Sequence, residues 1–203
     1  MSALLEDIRA IYRQDPACRN IEFLLYPSLH VITLHRYVIH PFYRMGIPFL
    51  PRLFSQLMRF FTGIEIHPGA KIGPGFFCDH GCGVVIGETV EIGYHCTLFH
   101  GVTLGGTGKE KRKRHPTIGD NVYIGHGTTI LGPVTIGSRS KIGAQTVIVN
   151  RDVPEDCTVI GATPRIVKME GRKVNISLPV ASYRQLAQEQ EKMLEPTAWA
   201  EQG

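Results

Sequence analysis

In residues 1–62, apolar residues recur with the spacing of amphipathic helices. The clearest run, at i, i+3, i+4, i+7 and onward, consists of Leu50, Leu53, Phe54, Leu57, Met58 and Phe61. We expect a second helix to be capped by Ser28 and ended by Pro41, and Pro16 to separate a short first helix from the rest. The pattern therefore predicts an α-helical N-terminal domain over residues 1–62.

After Gly63 the hydrophobic pattern changes to a period of six. Apolar residues recur at this spacing in three runs: Ile66, Ile72, Cys78 and Val84; Ile86, Ile92, Leu98 and Leu104; and Ile118, Ile124, Ile130, Ile136, Ile142 and Ile148, a phase that Ile160 and Ile166 keep. This period matches neither a helix nor a simple strand, and it is typical of a parallel β-helix. Each aliphatic residue is expected to point into the prism, and the glycine that often follows it to allow close approach.

The six-residue period breaks at two places. The register slips by two residues near positions 84–86, and fourteen residues separate Leu104 from Ile118. Insertions into a solenoid project from it, commonly on its binding face. The second insertion contains GGTGKEKRKRHP (105–116), which is the one strongly basic segment of a chain whose formal net charge is +4.

The glycines and lysines of this loop raise the question of phosphate binding. A P-loop needs G-x-x-x-x-G-K-[ST], but Thr103 stands in place of its first glycine and Glu110 in place of its hydroxyl residue. No aromatic residues are interleaved with the basic ones, so we expect no nucleic-acid partner. Two interpretations stay open for residues 109–113: charge that steers a polyanionic ligand, and a solvated loop without a ligand.

The composition narrows the class of protein. No apolar run approaches the roughly 18 residues that span a bilayer. The N-terminal segment carries early acidic residues and lacks the apolar core of a signal peptide. Five cysteines, an odd number in a chain of 203 residues, favour reduced thiols. We therefore expect a cytoplasmic protein without membrane contact.

Candidate chemistry begins next to the first register break. Asp79 and His80 lie between two cysteines, and further histidines follow at positions 95, 100, 115 and 126. Three interpretations compete: corner residues without a chemical role, a zinc site, and acid–base catalysis with His80 as the base beside an orienting carboxylate. The spacing C-x-x-x-C is not that of a zinc finger, and we predict no metal.

Five parts of the coil carry a family resemblance: GIEIHPGAKIG (63–73), DHGCGVVIGE (79–88), VTLGGTGK and RHPTIGDNVYIG within 102–125, LGPVTIGSRSKIGAQTVI (131–148) and VIGATPRIV (159–167). Together they closely resemble the serine acetyltransferases of cysteine biosynthesis. The resemblance implies a mixed fold: the α-helical cap, a left-handed parallel β-helix of hexapeptide repeats over residues 63–168 with an extruded loop, and a tail over 169–203. It implies transfer of acetyl from acetyl-CoA to the hydroxyl of L-serine, giving O-acetyl-L-serine and CoA.

The resemblance also implies an assembly. The expected state is a homotrimer or a dimer of trimers, with acetyl-CoA bound as co-substrate in a groove between subunits and no permanently bound cofactor. The family's partner, cysteine synthase, grips a C-terminal tail that ends in isoleucine. Since this sequence ends in glycine, we do not expect that complex.

The family's site residues transfer onto matching positions of this sequence. The catalytic histidine falls on His80 and its orienting carboxylate on Glu65, where the commonest members carry aspartate. Asp79 and Asp15 match the carboxylates that hold the serine amino group. A final pair matches residues that bind the serine carboxylate or support the oxyanion, namely Arg114 and His115.

The resemblance assigns a second set of residues to acetyl-CoA. Backbone near the double glycine is expected to contact it, at Gly105, Gly106 and Thr107. Lys141 and Ala144 match further contacts in later coils. Where the family usually has alanine in GAG, this sequence has GHG, which places His126 beside the expected pantetheine arm.

Other functions are weighed against this one. A hexapeptide acetyltransferase could act on another hydroxyl acceptor, such as a sugar or an antibiotic. A zinc carbonic anhydrase of the same fold would use three histidines at a subunit interface. A scaffold without catalysis would leave the acid–base residues without a purpose. We favour serine acetylation because acyl transfer needs a base, an orienting group, oxyanion donors and an anion-binding surface, and the sequence offers a candidate for each.

Overall fold

The computed structural model describes residues 2–108, 112–161, 165–169 and 172–177. The chain begins with helices: α1 (Ala3–Gln14), a 3₁₀ helix (Asn20–Leu25), α2 (Pro27–Leu34), a π-helical turn (His35–Ile39), α3 (His40–Arg44) and α4 (Leu50–Thr62). The helical character predicted for this part of the chain is confirmed.

Two predicted helix ends are wrong. Ser28 does not cap α2, because the helix already begins at Pro27, whose missing N–H costs nothing in a first turn. Pro41 does not end the helical path. Proline cannot donate to the preceding turn, and the chain accommodates it by widening into the π-helical turn, where the N–H of His40 donates to the carbonyl of His35. The chain then continues helically to Arg44.

Helix α4 leads directly into the coil. It ends at Gly63, whose φ of 71° lies in the left-handed region and whose N–H donates to the Arg59 carbonyl at 2.8 Å. The hydroxyl of Ser55 donates to the carbonyl of Ile66 at 2.6 Å and ties the helix to the first strand. The apolar stripe of α4 stays partly exposed in the single chain, at Leu53, Leu57 and Phe61 among others.

Fourteen short parallel strands form the β-helix. They are β1 (Glu65–Ile66), β2 (Lys71–Ile72), β3 (Phe77–Asp79), β4 (Val85–Ile86), β5 (Glu91–Ile92), β6 (Thr97–Phe99), β7 (Thr103–Gly105), β8 (Thr117–Ile118), β9 (Tyr123–Ile124), β10 (Thr129–Leu131), β11 (Thr135–Ile136), β12 (Lys141–Ile142), β13 (Val147–Val149) and β14 (Thr158–Val159). They stack into three faces. Face A holds β1, β4, β7, β10 and β13, face B holds β2, β5, β8 and β11, and face C holds β3, β6, β9, β12 and β14. The predicted left-handed parallel β-helix is confirmed.

The residues of the six-residue period up to Ile148 fill the interior of the prism. Ile160, predicted to keep this phase, is instead 72% exposed, because Val159 stacks on Ile142 in its place. On face A the stacked positions Ile66, Ile86, Leu104, Ile130 and Ile148 are all buried in one continuous core. The glycines that directly follow residues of the six-residue period, on any face, allow close contact between coils. A Cβ on Gly73, for example, would lie 2.5 Å from the carbonyl oxygen of Gly93, closer than any real contact. The period therefore encodes both the core and the spacing of the coils.

The two register breaks are extensions at two different corners. Two coils are of equal length, because Val85 pairs with Thr103 eighteen residues on and Thr129 with Val147, also eighteen residues on. The first coil is longer, with Glu65 paired to Val85 after twenty residues. The coil between Thr103 and Thr129 spans twenty-six residues. The extra residues lie between β3 and β4, and between β7 and β8.

A second compact unit begins at Ala162. Its described part is an antiparallel pair of strands, β15 (Arg165–Met169) and β16 (Arg172–Ser177). Ile166, predicted to stay in phase with the repeat, instead pairs with Ile176 in this hairpin. The domain boundary at residue 168 stays a prediction, and the end of the predicted tail, residues 178–203, lies outside the described residues. No helix in the described ranges is both long and apolar enough to cross a bilayer.

Candidate active site

His80 lies at the corner where face C turns into face A, called here the C–A corner. It follows β3 directly and has a φ of 58°, in the left-handed region that helps a tight turn. Its side chain is 76% exposed, and its Nε2 lies 3.9 Å from Oδ1 of Asp79. An exposed imidazole beside a carboxylate is chemically suited to accept a proton from a bound hydroxyl.

Helix α1 brings a second carboxylate toward this corner. Asp15 follows the last turn of the helix, accepts a hydrogen bond from the Tyr26 hydroxyl, and accepts another from the N–H of Ala17 at 2.8 Å. These bonds, with a smaller contribution from the charge of His80, hold the pKa of Asp15 below its usual range. The structure thus places Asp15 and Asp79 near His80 at one corner, while their roles in binding serine stay a prediction. Tyr26 is a partner that the sequence did not reveal.

Two more histidines continue up the same corner. The ring of His100 meets that of His80 edge to face at 5.9 Å and lies stacked on that of His126 at 5.2 Å. Stacked rings do not converge their nitrogens on one ion. Within the described residues, no three His, Cys, Asp or Glu side chains are placed to hold a metal ion.

Arg114 and His115 lie at a different corner, where face A turns into face B, called here the A–B corner. Nη2 of Arg114 lies 2.6 Å from Oε2 of Glu88, whose other oxygen accepts a hydrogen bond from the Tyr43 hydroxyl at 3.0 Å. The hydrogen bond from Arg114 is the main reason that the pKa of Glu88 lies below its usual range. The arginine is therefore held in place from helix α3 through a carboxylate.

His115 is buried beside this ion pair. Its Nδ1 contacts both the backbone N–H and the hydroxyl of Thr89, at 3.2 and 2.8 Å. Burial, and then the positive charge of Arg114, lower the pKa of the imidazole. The sequence suggested this histidine by resemblance, but not its partner.

Lys113 is not a freely solvated loop residue, as one interpretation of the basic loop had it. Its ammonium donates to the carbonyl of Thr89 at 2.6 Å and to that of Pro116 at 3.5 Å. Desolvation there lowers the pKa of Lys113. Lys113 thus anchors the loop to the coil beneath it. Residues 109–111 lie outside the described part of the chain, so both interpretations stay open for them.

Glu65 has different partners from those that we predicted. Within the described residues it forms ion pairs with two arginines of α4, at 3.5 Å from Arg52 and 3.2 Å from Arg59, and it makes no direct contact with His80. The reason is geometric, since Glu65 projects from β1 toward the helix that precedes it. That Glu65 orients His80 stays a prediction, and in the single chain the two arginines of α4 occupy this carboxylate.

The residues predicted to bind acetyl-CoA are divided between the two corners and face C. Gly105, Gly106 and Thr107 lie at the A–B corner, where Gly106 packs on Arg114. A cavity of about 250 Å³ beside them has a basic lining that includes Arg112 and Arg114. The remaining three residues lie elsewhere: His126 and Ala144 at the C–A corner, and Lys141 on face C.

The site therefore has two halves. The C–A corner offers a base and carboxylates, and the A–B corner offers an arginine, a buried histidine and a basic cavity. Face A separates the two corners in a single chain.

The sequence analysis did not identify Tyr43, Glu88 and Thr89 as site residues. Glu88 is the last residue of the motif DHGCGVVIGE, and Thr89 follows it directly. Nothing in the sequence signals Tyr43, which reaches the site only through folding.

Comparison with known proteins shows the family of the chain. The family model described as bacterial transferase hexapeptide (six repeats) matches residues 115–150. The chain is 50% identical over 200 residues to a serine acetyltransferase of Bacillus pumilus, with 94% of this chain and 91% of the relative covered. It is 55% identical over 177 residues to that of Bacillus subtilis, covering 86% and 81%.

A solved structure is similar over most of the chain. The serine acetyltransferase of Neisseria gonorrhoeae in complex with serine has a TM-score of 0.74 and 42% identity, covering 79% of this chain and 66% of that one. Fold, repeats and relatives together define an acyltransferase of the hexapeptide-repeat class. Within that class, the chain belongs to the serine acetyltransferase family.

Proposed function

We propose that the protein transfers the acetyl group of acetyl-CoA to the hydroxyl of L-serine, producing O-acetyl-L-serine and CoA. The observation that carries this proposal is the placement of both halves of the site at the two insertions of an otherwise regular coil. The names of the relatives support the choice of serine as acceptor.

The chemistry follows from the groups at the C–A corner. The imidazole of His80 takes the proton of the serine hydroxyl while the oxygen bonds to the thioester carbon. Collapse of the tetrahedral intermediate breaks the carbon–sulfur bond, and the proton passes from His80 to the departing CoA thiolate. Asp15 and Asp79 bind the ammonium group of serine, which fixes the hydroxyl beside the base.

The A–B corner supplies the complementary groups. A guanidinium pairs with a carboxylate through two parallel hydrogen bonds, so Arg114 is suited to the carboxylate of serine. Acetyl-CoA lies along Gly105, Gly106 and Thr107, where the absence of side chains on the glycines lets the thioester approach the backbone. The basic cavity below the loop suits the phosphates of CoA.

We further propose that the halves meet between copies of the chain in a homotrimer. The C–A corner of one subunit would face the A–B corner of its neighbour, with acetyl-CoA between them. The exposed apolar stripe of α4 gives a surface for further contacts between copies, as in a dimer of trimers.

We also propose that the protein acts in the cytoplasm. All five cysteines are unpaired, and free thiols are typical of proteins in that reducing compartment.

A thiol-release assay with acetyl-CoA tests the acceptor. L-serine is compared with ethanolamine, which lacks the carboxylate, and with a panel of sugar hydroxyls. We expect release with L-serine, little with ethanolamine and none with sugars. Equal rates with ethanolamine would contradict the role of Arg114, and a preferred sugar would replace the proposed function. Metal analysis with a carbon dioxide hydration assay tests the zinc alternative.

A further inference from the structure

Thr89 uses every hydrogen-bonding group it has on the segment that carries His115. Its hydroxyl oxygen accepts from the backbone N–H groups of Arg114 and His115, each at 3.2 Å. Its carbonyl accepts from the ammonium of Lys113. Its own N–H donates to Nδ1 of His115 at 3.2 Å. One turn residue thus fixes three consecutive residues of the basic loop.

These bonds assign the protonation state of the imidazole. A backbone N–H can only donate, so Nδ1 of His115 must be an acceptor. A threonine hydroxyl has two acceptor sites and one hydrogen. Since both acceptor sites of Thr89 are taken by backbone N–H groups, its hydrogen is left for Nδ1, 2.8 Å away. Because both donors share the single lone pair of Nδ1, this nitrogen carries no proton and the ring proton resides on Nε2.

A glycine holds the other edge of the same ring. A Cβ on Gly87 would lie 2.4 Å from Nε2 and 2.2 Å from Cδ2 of His115, so only glycine allows the imidazole to lie where it does. The charges around the ring agree with a neutral form. Arg114, Lys113 and His67 oppose a positive charge on His115, and only Glu88 favours one.

We propose that Thr89 is a positioning residue that holds His115 as its neutral Nε2–H tautomer. His115 then serves the reaction as a hydrogen-bond donor to a negatively charged substrate oxygen, and His80 remains the base. This inference rests on the proposed function for the identity of the substrate. It adds to that function a reason why His80 accepts a proton whereas His115 donates a hydrogen bond.

Nitrogen-15 NMR of histidine-labelled protein tests the tautomer directly. The His115→Gln variant identifies the His115 signals by their loss. At pH 7.5 we expect His115 to be protonated at Nε2 and unprotonated at Nδ1. Thr89→Val keeps the backbone donor to Nδ1 and loses the hydroxyl donor, so we expect it to weaken this preference. A wild-type His115 that is protonated at Nδ1, alone or together with Nε2, overturns the proposal. This readout needs no turnover, so it stands apart from any failure of serine acetylation.

Kinetics test the consequence for the reaction. Thr89→Val should lower kcat/KM for serine by about 10–100-fold, the scale of losing one oriented donor. Thr89→Ser keeps all the bonds and should stay within about threefold of wild type. Ser140→Ala is the matched control, because it also removes a buried corner hydroxyl bond, to the Pro154 carbonyl. Wild-type kcat/KM in a folded Thr89→Val protein, or a Thr89→Ser protein as impaired as Thr89→Val, overturns the proposal.

Discussion

Oε2 of Glu88 lies 2.6 Å from Nη2 of Arg114, and the Tyr43 hydroxyl donates to the other oxygen of the same carboxylate. This chain of contacts links a helix of the N-terminal part to the basic loop. It presents the guanidinium in a fixed orientation, which reduces the entropy lost when a substrate carboxylate binds.

Arg114→Ala should raise the KM for serine by about 10–100-fold, because a charge-assisted pair is lost. Glu88→Gln should raise it by less, about threefold to tenfold, since the arginine remains but is held less firmly. The KM for acetyl-CoA should change little in both variants. Glu91→Gln is the control, as Glu91 pairs with Lys71 on the same side of the coil. Steady-state kinetics with each substrate varied in turn would contradict this account if both KM values rose together.

His80→Ala should lower kcat by roughly 10²–10⁴, the usual value of a general base. The fold should be unaffected because the side chain is largely exposed. His30→Ala, at an exposed position on α2, serves as the control. Turnover close to that of wild type would remove His80 from the mechanism.

Lys113→Met should impair serine binding as well as acetyl-CoA binding, since it releases the loop that carries Arg114. We expect a rise of a few-fold in both KM values, at low and at high salt. Lys111→Ser is the comparison: if its charge only steers CoA, its effect should be confined to acetyl-CoA and disappear as salt screens charge. A Lys113→Met protein whose defect vanishes in salt would mean that this lysine, too, acts only through its charge.

Buried His35 should make stability depend on pH. Its Nε2 lies 3.0 Å from the carbonyl oxygen of Ala70, and burial lowers its pKa to about 4. The unfolded chain takes up this proton near pH 6.5, so stability should fall as the pH drops from 6.5 toward 4, by at most about 3 kcal/mol per chain. His35→Gln keeps a donor for the carbonyl and should flatten this dependence. Urea unfolding at fixed protein concentration between pH 4.5 and 7.5 measures it.

The part of the fold that the sequence predicts is the part encoded locally. A six-residue period needs only neighbours along the chain, so the coil and its buried residues follow from it. The two register breaks also mark the two corners of the site, because extra residues must leave a regular prism. What the sequence does not reveal depends on tertiary contact: Tyr43 against Glu88, Thr89 against His115, and Glu65 against the arginines of α4. The π-helical turn before Pro41 was also not predicted, because the helical path accommodates this proline instead of ending at it.

The most direct test of a serine-acetylating site shared between copies is to mix two variants that are each impaired at low serine. His80→Ala damages only the C–A corner and Arg114→Ala only the A–B corner. After equal amounts are dissociated and reassembled at random, about one quarter of the sites in a closed ring join two intact corners. Serine acetylation at low serine should therefore recover to about a quarter of the wild-type rate. Reassembled alone, His80→Ala should stay nearly inactive and Arg114→Ala should keep only about 1–10% of that rate, as expected from its higher KM for serine. No recovery in verified mixed assemblies would show that each site lies within one chain and would contradict the account.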